Sequence, residues 1–532
     1  MRKILCAGIA MGLCLTGCAE GTGVPRREAP AAGKSTPIPS VVAGPAGERA
    51  SESAAAFNTE AYDHFVDNSY QSASRNPLST FSVDVDTASY SIVRRYLMAG
   101  QLPPAGAVRI EELVNYFTYE DPPPLGDAPF SVNLEIAECP WNPAHRLARI
   151  GLKGREFAQE DRPASNLVFL IDVSGSMDAP NKLPLVRDGL KLLVEHLTSR
   201  DRVAIVVYAG SSGLALPSTA GNYKDVILAA IDQLRAGGST HGSAGIQLAY
   251  QTATENFIAG GSNRVILCTD GDFNVGVTSQ SELVRLIEDK ARSGVFLTVL
   301  GFGIGNYKDS TLEKLADKGN GNYGYIDTPN EARKLLGEQL QGTLITIAKD
   351  VKLQVEFNPV RVAAYRLVGY ENRVLATEDF KNDAKDAGEI GAGHSVTALY
   401  EIIPAEQSPD KPAPSEIEVD ALKYQNPGDI TPGKRTAEMF TVALRYKLPD
   451  GQVSRRLEFA AVDRGAKIAE ASPDFVWSSA VAAFGMVLRD SQHKGQITLP
   501  AIAELAQSAR GPDLAGYREE FLKLVAAAQR LK

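Results

Sequence analysis

Cysteine is scarce in this sequence of 532 residues. Three of its five cysteines, Cys6, Cys14 and Cys18, lie close to the N-terminus, so that only Cys139 and Cys268 remain for the rest of the chain. Two cysteines without a CxxC spacing do not support a disulfide framework or a thiolate metal site. They could pair if the fold brought them together, but Cys268 lies in an apolar run and is expected to be a small buried side chain.

Clusters of basic residues are also missing. The chain has 55 Lys and Arg residues against 64 Asp and Glu residues, a formal net charge of -9, and no basic block interleaved with aromatic residues. Nucleic acid is therefore not an expected partner. The composition, 44% hydrophobic and 22% charged, is otherwise that of a globular protein. At roughly 100 to 200 residues per domain, about three domains are expected.

The motifs of common hydrolases and nucleotide-binding proteins are absent as well. HExxH, GxSxG and Walker A do not occur, and the six histidines are scattered at positions 64, 145, 196, 241, 394 and 493. Gly301-Phe302-Gly303-Ile304-Gly305 follows an apolar run, but the next residues do not complete the GxGxxG spacing of a dinucleotide loop. We therefore expect no catalytic residue and no bound nucleotide, and keep a metal-assisted hydrolase only as an alternative function.

The N-terminal apolar stretch is too short to cross a membrane. It covers residues 4–15, behind two basic residues, whereas a membrane-spanning helix needs about 20 residues. This pattern predicts a signal peptide over residues 1–17. The stretch ends in Leu15-Thr16-Gly17-Cys18, which resembles the lipobox of bacterial lipoproteins. The resemblance implies that Cys18 is lipidated, becomes the new N-terminus and anchors the protein in a membrane through its acyl chains.

Residues 18–56 are interpreted as the lipidated cysteine and a flexible linker. They are rich in Ala, Gly, Pro and Ser, with almost no large apolar residue, and so cannot bury a core. Ala19, rather than Asp, follows the cysteine, as in lipoproteins sorted to the outer membrane of Gram-negative cells. The expected location is the cell envelope, with the protein lipid-anchored in the outer membrane.

Two segments with different patterns flank the centre of the chain. Residues 57–157 combine an alternating strand pattern with two helical patterns and predict a small N-terminal α/β accessory domain. Residues 346–532 begin with apolar residues at every second position, at 351–357 and again at 440–448, and close with helical patterns. They predict a C-terminal β-rich domain with a helical tail.

The central segment, residues 158–345, alternates short apolar runs with amphipathic helices. The runs are 167–171, 203–208, 265–268 and 295–300. Unbroken apolar runs are typical of parallel strands that are buried on both faces. The sequence therefore predicts an α/β domain with a doubly wound, mostly parallel sheet, in which ligands bind in the loops that follow the carboxyl ends of the strands.

Three loops of this domain carry oxygen ligands at the expected strand ends. The first strand leads into Asp172-Val173-Ser174-Gly175-Ser176, a DxSxS motif. A second loop offers Thr240 before a helix, and a third offers Asp270 after an apolar strand. In order, spacing and placement, the three loops resemble the metal ion-dependent adhesion site of von Willebrand factor A domains, whose fold is the doubly wound sheet predicted above.

This resemblance implies a divalent cation site. The hydroxyl groups of Ser174, Ser176 and Thr240 and the carboxylates of Asp172 and Asp270 would hold the ion directly or through water. Ligands that are all oxygen suit Mg²⁺, with Mn²⁺ or Ca²⁺ as alternatives. An ion with an open coordination position favours an anionic oxygen, so the expected partner is a protein that presents an Asp or Glu side chain.

Two neighbours of these ligands are interpreted as rim residues. Asp272 is expected to be a solvated loop carboxylate, with metal ligation as a reserve role. His241 adjoins Thr240 and could contact the partner, but it is not expected to bind the ion, because an all-oxygen site does not favour imidazole.

The resemblance extends beyond the central domain. Residues 79–90 and 108–112 are similar to the N-terminal region of YfbK-type bacterial von Willebrand factor A lipoproteins, and the C-terminal layout is similar too. The likeness covers nearly the whole mature chain. It describes an architecture and leaves the biochemical process open.

The function that these patterns favour is metal-dependent binding at the cell envelope. A second alternative, besides the hydrolase, is an accessory subunit of a larger complex, like the von Willebrand factor A subunits that serve ATPases. Export argues against that alternative, because an exported protein does not meet ATP.

Overall fold

In the computed structural model, Glu60 is the first described residue. It describes residues 60, 62–83, 86–158, 160–238, 243–271, 280–304, 308–339, 342, 344–383, 385, 387–405, 437–449 and 451–532. The predicted signal peptide, Cys18 and the linker lie outside these residues, as do Thr240, His241 and Asp272. Within them, every helix is too short or too polar to span a bilayer.

The described elements form three consecutive groups along the chain. The N-terminal group contains β1 (Gln71–Ser72), β2 (Leu78–Ser82), α1 (Ala88–Met98), α2 (Ile110–Asn115), β3 (Phe130–Glu138) and β4 (Arg146–Gly154). The central group contains β5 (Ser165–Asp172), α3 (Leu183–Glu195), β6 (Arg202–Tyr208), β7 (Ser212–Ala220), α4 (Lys224–Gln233), α5 (Ser243–Glu255), β8 (Ser262–Thr269), α6 (Gln280–Arg292), β9 (Val295–Phe302), α7 (Asp309–Lys318), β10 (Tyr323–Ile326) and α8 (Pro329–Arg333). The C-terminal group contains β11 (Thr346–Phe357), β12 (Val362–Val368), β13 (Gly388–Gly391), β14 (Ser395–Pro404), β15 (Glu438–Lys447), β16 (Arg455–Val462), α9 (Pro473–Leu488), α10 (Leu499–Ser508) and α11 (Tyr517–Leu531).

The central group builds a six-stranded sheet in the order β10-β9-β8-β5-β6-β7. All neighbouring pairs are parallel except β6 and β7, so the predicted doubly wound, mostly parallel sheet is confirmed. The four apolar runs of the sequence are β5, β6, β8 and β9. The edge strand β7 was not predicted, because only Leu216 among its nine residues is buried and it contains Pro217 where an inner strand would carry an apolar run.

Strand β5 lies in the middle of this sheet and is buried on both faces. Leu167, Phe169 and Ile171 belong to the same core as the apolar stripe of α3. The alternate residues Val168 and Leu170 belong to a second core that contains α5. Side chains alternate across a strand, so one apolar run serves two helical layers. Because β5 has β6 on one side and β8 on the other, its carboxyl end opens where the strand order reverses.

The two flanking groups share their sheets. One antiparallel sheet has the order β1-β12-β14-β4-β3, and the other has the order β13-β11-β15-β16 with β2 also paired to β11. The sheets pack through aromatic side chains, for example Phe130 with Tyr446, whose ring centroids are 4.8 Å apart, and Phe357 with Tyr400, at 5.3 Å. The sequence predicts residues 57–157 and 346–532 as two separate domains, whereas in the structure they contribute strands to common sheets.

The helices of the two flanking groups also share a core. Phe117 follows α2, Trp477 lies in α9 and Phe521 in α11, and their ring centroids lie 5.1 to 5.8 Å apart. Helix α9 is buried from residue 475 to residue 488, as expected for a helix that is apolar all round. The predicted helical tail is therefore confirmed, and it packs on helices from the beginning of the chain.

Both described cysteines are buried and free. Cys268 lies in β8, as the apolar run around it predicted. The pairing with Cys139 that the sequence left open does not form.

Candidate metal centre

The DxSxS motif begins at the carboxyl end of β5. Asp172 is the last residue of the strand and is fully buried, and its Oδ1 atom accepts a hydrogen bond of 2.8 Å from the backbone N–H of Ser174. The hydroxyl oxygens of Ser174 and Ser176 lie 3.0 Å apart. Ser174 is buried and Ser176 is exposed, so the two hydroxyl groups lead from the buried carboxylate towards solvent.

The second loop starts beside the first. The backbone N–H of Gly237 donates to the carbonyl oxygen of Val173 at 2.7 Å, and the N–H of Gly175 donates to the carbonyl oxygen of Gly238 at 3.1 Å. Gly238 has a φ of +91°, which favours glycine at this close approach. Thr240, two residues further on, lies outside the described residues, so that its predicted ligand role is a matter of sequence alone.

The third loop places a second carboxylate at the same edge of the sheet. Asp270 directly follows β8, and β8 is paired with β5 up to Ile171 opposite Cys268. The Asp270 side chain is 2% exposed. Four of the five predicted ligands, Asp172, Ser174, Ser176 and Asp270, are therefore carried by the carboxyl ends of two adjacent strands.

Two carboxylate oxygens at this edge lack a hydrogen-bond partner within the described part of the chain. They are Oδ2 of Asp172 and Oδ1 of Asp270, and both are buried. Burial, reinforced by the nearby Asp270 carboxylate, raises the pKa of Asp172 to about 6 against the opposing effect of its Ser174 hydrogen bonds. A buried carboxylate without a partner is unfavourable unless a cation or a proton compensates it.

The donor set, two carboxylates and two neighbouring hydroxyl groups, fits a hard divalent cation. No group of three or more His, Cys, Asp and Glu side chains suited to a metal occurs among the described residues.

Lys182 contacts this site, and sequence reasoning did not find it. It lies just before α3, and its Nζ atom donates to Oδ2 of Asp270 at 2.8 Å. The lysine side chain is 14% exposed. In the sequence, a lysine before an amphipathic helix is indistinguishable from a solvated one, and only the fold brings it to the end of β8.

A cavity of about 1330 Å³ lies at the opposite, amino-terminal edge of the sheet. Gly261 and Ser262 at the start of β8 and Gly294 before β9 contribute to its lining. None of the candidate ligands lines it, so its size has no bearing on the metal centre.

The sheet topology places the chain among proteins with a von Willebrand factor A domain. The model of the von Willebrand factor type A domain matches residues 166–338, and a model described as von Willebrand factor matches residues 56–149. A third model, "Uncharacterized protein YfbK, C-terminal", matches residues 342–531. The chain is 44% identical over 477 residues to "Uncharacterized protein YfbK" of Escherichia coli K12, which covers 88% of this chain and 81% of that protein. The chain belongs to the YfbK family.

Other similarities are more distant. Inter-alpha-trypsin inhibitor heavy chain H4 of Sus scrofa is 30% identical over 226 residues, which is 41% of this chain and 22% of that protein. The solved structure titled "von Willebrand factor type A from Catenulispora acidiphila" is 16% identical, with a TM-score of 0.41, and covers 77% of this chain and 91% of that one.

Proposed function

We propose that this protein binds a partner protein through a divalent cation held by Asp172, Ser174, Ser176, Thr240 and Asp270. The observation that carries the proposal is the pair of buried carboxylate oxygens, on Asp172 and Asp270, that have no hydrogen-bond partner among the described residues. The other oxygen of Asp172 accepts from the backbone N–H of Ser174, whose hydroxyl group lies 3.0 Å from that of Ser176. Mg²⁺ is the proposed ion, with Mn²⁺ or Ca²⁺ as alternatives.

The bound ion would supply a Lewis-acidic position for an anionic oxygen of the partner. Asp172 and Asp270 offer negative charge from the buried side, and Ser174 and Ser176 offer hydroxyl oxygens towards the exposed side. The exposure of Ser176 marks the side from which a partner's Asp or Glu side chain would approach. This is a binding function, and we assign no catalytic step.

Substitution of the ligands tests the proposal. Asp172→Ala and Thr240→Ala should abolish divalent-cation binding while leaving the fold nearly intact, because Asp172 is at the end of its strand and the sequence predicts a loop at Thr240. In titration calorimetry with Mg²⁺, the wild type should bind and both variants should not. The wild type should also melt at a higher temperature with Mg²⁺ than with EDTA, since a ligand that binds the native state stabilises it by mass action.

Asp232→Ala is the matched control, because Asp232 is an exposed carboxylate on α4. It should keep the metal affinity of the wild type. A metal-dependent pull-down from envelope extract, with and without EDTA, then identifies the partner. Undiminished affinity in both ligand variants would contradict the assignment of the site.

We further propose that the protein is lipid-anchored in the cell envelope through Cys18, in the outer membrane. The motif Leu15-Thr16-Gly17-Cys18 behind an apolar leader supports this location. Cys18→Ser should release the protein from membranes and remove the incorporation of radiolabelled palmitate. Unchanged incorporation in that variant would rule out the lipobox.

A further inference from the structure

Lys182 introduces a positive charge at the proposed metal centre. Its ammonium group donates to Oδ2 of Asp270 at 2.8 Å, while Oδ1 of the same carboxylate is buried and has no hydrogen-bond partner among the described residues. The lysine therefore occupies one oxygen of Asp270 and leaves the other available. Within the described part of the chain, Asp270 has one ion pair, with Lys182, and Asp172 has none.

The fold fixes the path of this side chain. Gly303, directly after β9, has a φ of +77°, and a Cβ atom built on it would lie 2.3 Å from Cε of Lys182. The absence of a side chain at Gly303 thus leaves the channel through which Lys182 passes from the start of α3 to the end of β8. A lysine held by the ends of two strands is part of the site rather than a solvated surface residue.

Lys182 changes the net charge of the proposed metal centre. The carboxylates of Asp172 and Asp270 together carry two negative charges, which a divalent cation alone would neutralise. With the ammonium group of Lys182 included, the loaded site carries a net charge of one positive unit. Partly buried charges interact strongly, because the surrounding protein screens them less than water does.

We propose that Lys182 is the residue that makes the metal-loaded site selective for an acidic ligand. The inference rests on the proposed function, since it concerns the same cation. Lys182 lowers the affinity of the empty site for a divalent cation by repulsion, and it raises the affinity of the loaded site for a carboxylate by attraction. The two effects have opposite signs, which separates this role from a purely structural one.

The test uses the full chain and Lys182→Met, which keeps the length of the apolar stem and removes the charge. Mn²⁺ is titrated by calorimetry, and acetate is then titrated into the Mn²⁺-saturated protein while the relaxation of water protons reports displacement of metal-bound water. Acetamide is the uncharged counterpart of acetate. Lys191→Met is the matched control, because Lys191 is a more exposed lysine on α3 paired with Asp232.

In Lys182→Met, we expect the Mn²⁺ affinity to rise and the acetate affinity to fall, each by about threefold to tenfold, with little change for acetamide. Gly303→Ala, which blocks the path of the lysine, should likewise raise the Mn²⁺ affinity and lower the acetate affinity. Lys191→Met should match the wild type.

Two results would overturn the inference while the proposed function stands: a fall of both affinities in Lys182→Met, or an acetate affinity equal to that of the wild type. A wild-type chain that binds no Mn²⁺ is a different result. It would overturn the proposed function itself.

Discussion

At the scale of single residues, the flanking sheets contain buried charged side chains that pair with each other. Glu401 in β14 accepts from Nη2 of Arg366 at 2.7 Å and lies 2.7 Å from Nδ1 of His145. The side chains of Glu401 and Arg366 are 2% and 0% exposed. Burial by itself would raise the pKa of Glu401, but the His145 hydrogen bond and the Arg366 charge outweigh it and lower the pKa to about 2. This carboxylate therefore prefers to be ionised in the folded protein.

Stability should depend on Glu401 in a defined pH window. Because its pKa is about 2 when folded and about 4.5 when unfolded, its contribution is complete above pH 4.5 and is lost as the pH falls towards 2. Glu401→Gln should lower the free energy of unfolding at pH 7 by about 3 to 5 kcal/mol, because Arg366 loses its buried partner. At pH 3, the difference in the free energy of unfolding between the wild type and Glu401→Gln should be smaller by about 2 kcal/mol.

Urea unfolding at the two pH values measures this difference. Glu458→Gln is the control, since Glu458 forms an exposed pair with Arg456. A deficit of the same size at both pH values would show that the charge of Glu401 is not what stabilises the fold.

At the scale of elements, buried ion pairs join the N-terminal helices to the central domain. Arg109, just before α2, bonds through Nη1 to Oδ2 of Asp309, the first residue of α7, at 2.5 Å, and it also pairs with Glu112. In α1, Nη2 of Arg94 lies 2.8 Å from Oε2 of Glu331 in α8. The arginines are 1% and 3% exposed. A buried charge pair of this kind imposes a specific docking geometry, since misplacing one member leaves the other unpaired.

Removal of Arg109 should destabilise the protein strongly. Arg109→Met leaves the buried carboxylates of Asp309 and Glu112 without their cation, which costs about 3 to 5 kcal/mol. Arg187→Met removes a solvent-screened pair with the exposed Asp232, and a much smaller loss of stability is expected. Chemical denaturation of both variants gives the comparison, and equal losses would contradict the role assigned to Arg109.

At the scale of the whole molecule, the beginning and the end of the chain are built into the same layers. Strands β1, β2 and β4 pair with β12, β11 and β14, so that the flanking sheets form only when distant segments meet. The central sheet differs, because all six of its strands come from one continuous segment. Flanking and central parts should therefore respond differently when the chain is cut.

We predict that residues 158–345 fold as a unit when expressed alone and unfold cooperatively. The isolated segment should melt at a lower temperature than the full chain, because Asp309 and Glu331 lose their arginine partners and the apolar contacts of Ile92 with the central core are lost. Thermal melts followed by circular dichroism measure this. A segment that stays molten with Mg²⁺ present would show that the flanking groups are integral to its core.

Much of the central domain was predictable from sequence. The apolar runs of β5, β6, β8 and β9 are local patterns, and a strand buried on both faces needs such a run wherever it lies in the chain. The strand ends then located Asp172 and Asp270, because parallel strands present their carboxyl ends at one edge. The half-exposed edge strand β7 escaped prediction, since an edge needs no continuous apolar run.

By itself, the sequence determined the parallel sheet and the loops that carry the proposed ligands, because both depend on short-range periodicity and spacing. Only the tertiary structure decided that the two flanking segments share sheets and a helical core. It also decided that Arg109 meets Asp309 and that Lys182 meets Asp270. The physical reason is that strand pairing and ion pairing between distant residues depend on how the chain folds back on itself. Two residues of the same type, such as Lys182 and Lys191, therefore differ only in the partners that the fold brings to them.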